Sequence, residues 1–292
     1  ARLIQTGEAN AVLVGGTESM SQAPYVLRGA RFGYRLGNAD LEDSLMSGLF
    51  DTIPQIPMAI TAENLAVQYG ISREATDEFA LRSQHLTAEA YARGAFQDEI
   101  APISLKTKSG ETLFGKDEHP RADATIEALK KLKPVFKKDG VVTAGNASGM
   151  VDGAAALVVT SEKNAREKGW GILGKLLASH VVGCEPSIMG IGPVPAVRGL
   201  LQKTGKSLKD VALVEVNEAF ACQALAVEKE LQIAREKLNT DGGAIAIGHP
   251  LGASGARITA HLLFALKRRG GGLGLGTACI GGGQGIAVLL EV

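Results

Sequence analysis

Aromatic residues make up only 4% of this 292-residue chain, too few for the base-stacking platforms of a single-strand nucleic-acid binder. An excess of charge is missing too. Lys and Arg (31) balance Asp and Glu (31), so nothing in the sum favours nucleic acid or an anionic membrane surface. Cysteine is scarce: Cys184, Cys222 and Cys279 show no C-x-x-C spacing, which argues against a disulfide framework or zinc site and for a reducing compartment. No run approaches the ~20 apolar residues that span a bilayer, and no signal peptide is recognisable. The first residue is not Met. Ala1 to Gly7 reads as the end of a helix closed by a glycine cap, so the chain is expected to start inside an element of a longer protein. The glycines fit neither G-x-x-x-x-G-K-[ST] nor G-x-G-x-x-G, which disfavours nucleoside triphosphates and NAD.

What the chain has in plenty is glycine: 37 of 292 residues, roughly 13% against a usual ~7%. The glycines cluster near 15–16, 145–153, 242–255 and 270–285, where tight turns or close backbone–ligand approaches are expected. Around them, apolar runs alternate with helical patterns. A strand is expected at 11–14, ended by Gly15-Gly16. From 21 to 150 the texture is less regular, with one strong helix over 72–93 capped by Ser72 and a Lys-rich stretch from Lys130 to Lys138. Beyond Asp152 come a strand at 154–160, a helix at 161–168, a strand near 171–182, a helix at 193–204, a strand at 212–216 and a helix at 219–232. A strand at 243–247, a helix at 254–268 and strands at 272–278 and 285–291 complete an α/β pattern. Residues 1–16 echo 258–282, and 153–162 echo 285–291, so the fold reads as duplicated, with about 130 residues inserted into the first copy.

Three settings carry chemistry. Cys279 is followed by Ile280 and then Gly281-Gly282-Gly283, whose bare N–H groups suit a developing oxyanion. His249 lies in Gly248-His249-Pro250, and Asn217 opens Asn217-Glu218-Ala219-Phe220. A thiol, an imidazole and a carboxamide in such settings suggest acyl chemistry, yet the set lacks an evident nucleophile. The echo predicts where one belongs: at the N-terminus of the first copy's helix, upstream of Ala1, where a helix end lowers a thiol pKa.

With these residues in hand, the chain resembles the thiolases along its whole length. The resemblance rests on Val14-Gly15-Gly16-Thr17-Glu18-Ser19-Met20-Ser21, Pro57-Met58-Ala59-Ile60-Thr61-Ala62-Glu63-Asn64, Val142-Thr143-Ala144-Gly145-Asn146-Ala147-Ser148-Gly149, Met189-Gly190-Ile191-Gly192-Pro193-Val194-Pro195, and the Asn217, His249 and Cys279 motifs. Pro57 before Met58 points to the 3-ketoacyl-CoA type; many acetoacetyl-CoA thiolases carry His there.

The resemblance implies a thiolase fold: duplicated α/β/α/β/α halves with an inserted loop domain. Its divisions would be 1–20 as the remnant of the N-terminal half, 21–150 as the CoA-binding loop domain, 151–168 as the end of the N-terminal half and 169–292 as the C-terminal half. It implies thiolytic cleavage of a 3-oxoacyl-CoA by CoA, as in fatty-acid β-oxidation, with no covalent cofactor or metal and with coenzyme A as substrate. His249 would activate the acyl-accepting cysteine. Cys279 would exchange the proton of the acetyl-CoA enolate, Gly281 would donate to the acyl-enzyme oxyanion, and Asn217 would orient a water or donate to an oxyanion. Arg121, Ser148, Gly149, Met58, Ala219 and Phe220 would contact CoA. Ala128, where some relatives have serine, departs from that pattern.

Acetoacetyl-CoA thiolase chemistry and a non-catalytic CoA- or lipid-binding protein are the alternatives; decarboxylating ketoacyl synthases usually carry histidine where Asn217 stands. Glu218 is expected to hold strand ends, and Cys184 and Cys222 to be core residues. A homodimer or homotetramer is expected, without nucleic acid or membrane insertion, in a bacterial cytoplasm or mitochondrial matrix. The 292 residues alone are expected to be inactive.

Overall fold

The computed structural model describes residues 1–108 and 110–292. Helix α1 (Arg2–Gln5) turns at Gly7 into strand β1 (Ala11–Glu18). The region that follows holds β2 (Tyr25–Val26), β3 (Glu42–Asp43), α2 (Ser44–Gly48), β4 (Phe50–Asp51), β5 (Ile56–Pro57), α3 (Met58–Tyr69), α4 (Arg73–Ala92), β6 (Ile103–Thr107), β7 (Gly110–Phe114) and α5 (Ile126–Lys130). The chain then returns through β8 (Gly153–Thr160), α6 (Glu162–Glu167) and β9 (Lys175–Gly183). It closes with α7 (Pro193–Thr204), β10 (Val211–Val216), α8 (Ala221–Leu231), α9 (Ala244–Ile247), α10 (Ser254–Arg268), β11 (Leu273–Ile280) and β12 (Gln284–Glu291).

The duplication is visible in the ladders. Strand β1 pairs antiparallel with β8, Ala11 facing Thr160 and Glu18 facing Gly153, just as β11 pairs antiparallel with β12. The second sheet runs β10-β11-β12-β9, with β10 parallel to β11. Helix α10 lies between the two sheets, touching β1 and β8 on one side and β10, β11 and β12 on the other; α7 covers the far face of the second sheet. Strand β10 is buried along nearly all its length, as expected of a strand covered on both faces. Leu262 and Leu266 of α10, Leu275 and Leu289 of the sheet and Leu200 of α7 are fully buried, each contributing about 1.5–3 kcal/mol.

Two elements differ from the sequence reading. Strand β1 does not end at Gly15-Gly16 but runs through them to Glu18, because there the bare backbone slides under the loop before α10. A Cβ at Gly16 would lie 1.7 Å from the carbonyl oxygen of Gly252. Residues 244–247 form the short helix α9, not a strand. An apolar run of this length has no readable period. Here the buried Glu218 carboxylate accepts the Ile245 N–H, and Ile247 N–H bonds back to Gly243, drawing the segment into a turn.

Ser72 caps α4 as expected, accepting from Ala75 N–H, and the Lys130–Lys138 lysines are exposed. Among the described residues, no helix is long and apolar enough to cross a membrane. A buried charge cluster ties the region between β1 and β8 to α10. His261 Nδ1 is 2.9 Å from Glu99 Oε1, and its Nε2 is 3.5 Å from Asp241 Oδ2 and 3.9 Å from Glu215 Oε1. Arg93 and Arg268 both pair with Asp241.

Candidate active site

Parallel strands β10 and β11 pair as far as Val216 opposite Thr277, where β10 ends and β11 runs on to Ile280, and Asn217 N–H bonds to the Thr277 carbonyl at 2.9 Å. Asn217 therefore leaves one strand end while Cys279 emerges two residues beyond Thr277 on its neighbour. Crevices at the carboxyl ends of parallel strands are where α/β sheets bind ligands.

Asn217 reaches His249: Nδ2 to Nε2 is 3.1 Å. The other ring nitrogen, Nδ1, is 2.6 Å from Ser254 Oγ, at the start of α10. Ser254 has one hydroxyl proton and donates it to the Pro250 carbonyl at 3.0 Å, so toward His249 it accepts. That makes Nδ1 the protonated nitrogen and leaves the lone pair on Nε2, where an amide NH2 donates to it. Burial, with Arg257 adding repulsion, pulls the imidazole down to about 4, so it is neutral at physiological pH. The buried Asn217 Oδ1 has no hydrogen-bond partner among the described residues.

The segment expected to hold pantetheine is laid between these groups. Ser148 N–H bonds to Ala219 O (3.0 Å), His249 N–H bonds to Gly149 O (2.9 Å), and Ala147 bridges to Phe220, the residue preceding α8. Glu218 is buried beneath, accepting from Ser83, Asn239 and Ile245 N–H; burial outweighs these bonds and raises its pKa. It holds strand ends and does not reach the crevice.

Cys279 is half-buried, and desolvation of its sulfur pushes the thiol up to about 12, with Cys184 adding to the effect. Cys222, fully buried and bonded to the Ala62 carbonyl, is also pushed to about 12; burial raises Cys184 as well. None of the three is a thiolate at neutral pH. Met58 packs on Gly281: its Cε lies 2.8 Å from where a Cβ would stand. Arg121 stands apart on an exposed loop, its backbone N–H held by Gln84 Oε1 at 2.7 Å.

Three contacts escaped the sequence. Ser254 fixes the histidine tautomer; its spacing after Gly248-His249-Pro250, at the first residue of a predicted helix, was an available signal. His119 packs its ring over Gly149 and bonds to the Ala246 carbonyl at 2.8 Å. Asp51 accepts Gly282 N–H at 2.7 Å. The hydrogen bonds of the last two cross more than 100 residues of sequence and carry no local signal.

A duplicated layered α/β fold with Asn, His and Cys–Gly groups at the ends of paired parallel strands defines a class of acyl-transferring enzymes. Comparison with known proteins makes it specific. Residues 1–163 match the thiolase N-terminal domain and 170–292 the thiolase C-terminal domain. The chain is 58% identical over 285 residues to the human protein "3-ketoacyl-CoA thiolase, mitochondrial", covering 97% of this chain and 72% of that protein. It is 50% identical over 293 residues to a Chromobacterium violaceum acetyl-CoA acetyltransferase, covering 100% of this chain and 75% of the relative. The crystal structure of human mitochondrial 3-ketoacyl-CoA thiolase in complex with CoA superposes with a TM-score of 0.96 at 56% identity, over 99% of this chain and 73% of that one. A Bacillus anthracis acetyl-CoA acetyltransferase does so with 0.96 at 50% identity, over 99% and 73%. The chain belongs to the thiolase family and is an acyltransferase.

Proposed function

We propose that this thiolase cleaves 3-oxoacyl-CoA with CoA, giving acetyl-CoA and a shortened acyl-CoA, as a step of fatty-acid β-oxidation. The observation that carries the reading is the Asn217–His249–Ser254 chain, with Cys279 at the adjoining strand end. A neutral imidazole with its lone pair on Nε2 is a base ready to take a thiol proton. On this reading the acyl-accepting thiol is none of Cys184, Cys222 and Cys279, all of which burial keeps protonated, so the 292 residues alone are expected not to turn over.

In cleavage that thiolate attacks the 3-oxo carbon, and the C2–C3 bond breaks. The electron pair forms the acetyl-CoA enolate, whose carbon takes the Cys279 proton. The thiol of a second CoA then attacks the acyl thioester, giving its proton to the Cys279 thiolate, and the acyl-CoA leaves as the released cysteine thiolate takes back the proton held by His249. Gly281 N–H faces the acyl oxygen, while His249 and Asn217 serve the thioester oxygen or a water. Residues 21–150 form the CoA-binding domain inserted between 1–20 and 151–168, with 169–292 as the C-terminal half. CoA lies along Met58, Ser148, Gly149, Ala219 and Phe220, with Arg121 near its phosphates. The assembly is a homodimer or homotetramer.

The test is thiolysis of 3-oxoacyl-CoAs of graded length by the full-length protein and by Cys279→Ala. Turnover in the first, with a loss of about 100-fold or more in the second while acyl-enzyme still forms, is expected. Equal turnover in both would remove the acid/base role. Activity confined to acetoacetyl-CoA would move the assignment to the short-chain enzyme.

A further inference from the structure

Gly281 heads a run of three glycines, and Gly282 and Gly283 both take left-handed φ values, +78° and +81°. Glycine permits that path but does little to hold it. Two side chains grip the peptide between Gly281 and Gly282 from opposite sides. Asp51 Oδ2 accepts its N–H at 2.7 Å, and Gln284 Nε2 donates to its carbonyl at 3.1 Å. Asp51 is 3% exposed, and its other oxygen accepts Ile53 N–H at 3.0 Å, so the carboxylate is locked by two backbone donors. It stands opposite Ile56 in the β4–β5 ladder, two residues before Met58, whose methyl rests on Gly281.

We propose that Asp51, assisted by Gln284, is a positioning residue for acyl transfer: it fixes the Gly281–Gly282 peptide, and with it the Gly281 Cα from which the neighbouring Ile280–Gly281 peptide directs its N–H at the acyl oxygen. This rests on the reading of Gly281 as an oxyanion donor. Asp51 touches no reacting atom. Because it comes from the region between β1 and β8, the donor loop is set only when that region is seated against the C-terminal sheet.

The test uses Asp51→Asn, Asp51→Ala and Gln284→Ala in the full-length protein, with steady-state kinetics and amide hydrogen exchange at 281–283. An Asn side chain can accept only one of the two N–H groups and turns its NH2 on the other. Faster exchange at Gly282 is expected. With it, kcat should fall by about 10- to 100-fold for Asp51→Ala, the scale of a small misalignment, and less for Gln284→Ala, with KM for CoA within about threefold. Gln284 is exposed, so that variant carries the test if Asp51→Ala fails to fold. Unchanged exchange and unchanged kcat would refute the role of Asp51 and leave the Gly281 reading untouched. Faster exchange with unchanged kcat would instead show that Gly281 is not the donor, and the proposal would fall with it.

Discussion

Replacing Ser254 by Ala isolates the tautomer argument. The hydroxyl is buried, accepts His249 Nδ1–H at 2.6 Å and donates to the Pro250 carbonyl at 3.0 Å. Without it, a buried N–H faces no acceptor, which costs about 1–3 kcal/mol. The ring escapes by moving its proton to Nε2, and the Asn217 amide, 3.1 Å away, turns its unpaired Oδ1 to accept it. The form with its lone pair on Nε2 is then depleted by up to that free energy. At a factor of ten per 1.36 kcal/mol, kcat falls roughly 5- to 150-fold, while KM for CoA stays within about twofold. Acylation by a 3-oxoacyl-CoA, followed in a single turnover by the full-length protein, reads this directly. The acid limb of kcat/KM should still lie near the depressed value of about 4 and not near 6.5, since burial and Arg257 remain. A Ser254→Ala enzyme with reduced melting temperature but undiminished acylation would refute the reasoning, since the serine would then only support the fold.

Two further expectations concern stability. Burial lowers the affinity of His261 for its proton, but the Glu99 hydrogen bond and the charges of Glu215, Glu99 and Asp241 outweigh it and raise the pKa; Glu215 is raised to about 7 by burial. Both groups bind protons more tightly folded than unfolded, so stability falls as pH rises from about 5 through 7. His261→Gln should cost about 3–5 kcal/mol near pH 5, where the charged imidazole holds its carboxylates, and less above pH 7, as that contribution is lost through the raised pKa. Denaturant titrations at the two pH values check this, and a pH-independent loss would count against it. Gly16→Ala drives a methyl onto the backbone oxygen of Gly252, which no rotamer relieves; it should cost about 4 kcal/mol or more, and a melting temperature within a few degrees of the parent would contradict the packing.

Periodicity and caps sufficed for most helices and strands, because α4 and α10 carry amphipathic patterns and Ser72 and Ser161 announce their helices. The reading failed at 243–247, where every side chain is apolar or absent and the deciding group, the Glu218 carboxylate, lies 27 residues from Ile245. The site residues stood out because their glycines and prolines are locally unusual. Asp51 and His119 did not, since each acts on partners that only the fold brings near, whereas Ser254, five residues after His249, lay within reach of a local reading. The cluster at His261 was equally silent: a histidine in a helical pattern has no mark that three carboxylates surround it.

The region between β1 and β8 leaves and re-enters the fold at a single paired point, Glu18 opposite Gly153. That neck rests on the loop that carries His249: Glu18 accepts Gly252 N–H at 3.1 Å, and Pro250 fills the space above Gly153. A graft whose chain enters and leaves by one doorway, though it also packs on the C-terminal half through Asp51, Arg93 and Glu99, can lengthen or shorten its exposed loops without disturbing the register of the strands that bear it, since closing a longer loop costs only slightly more entropy. The threshold of that doorway is the backbone next to the imidazole, so any tilt of the graft is felt there first.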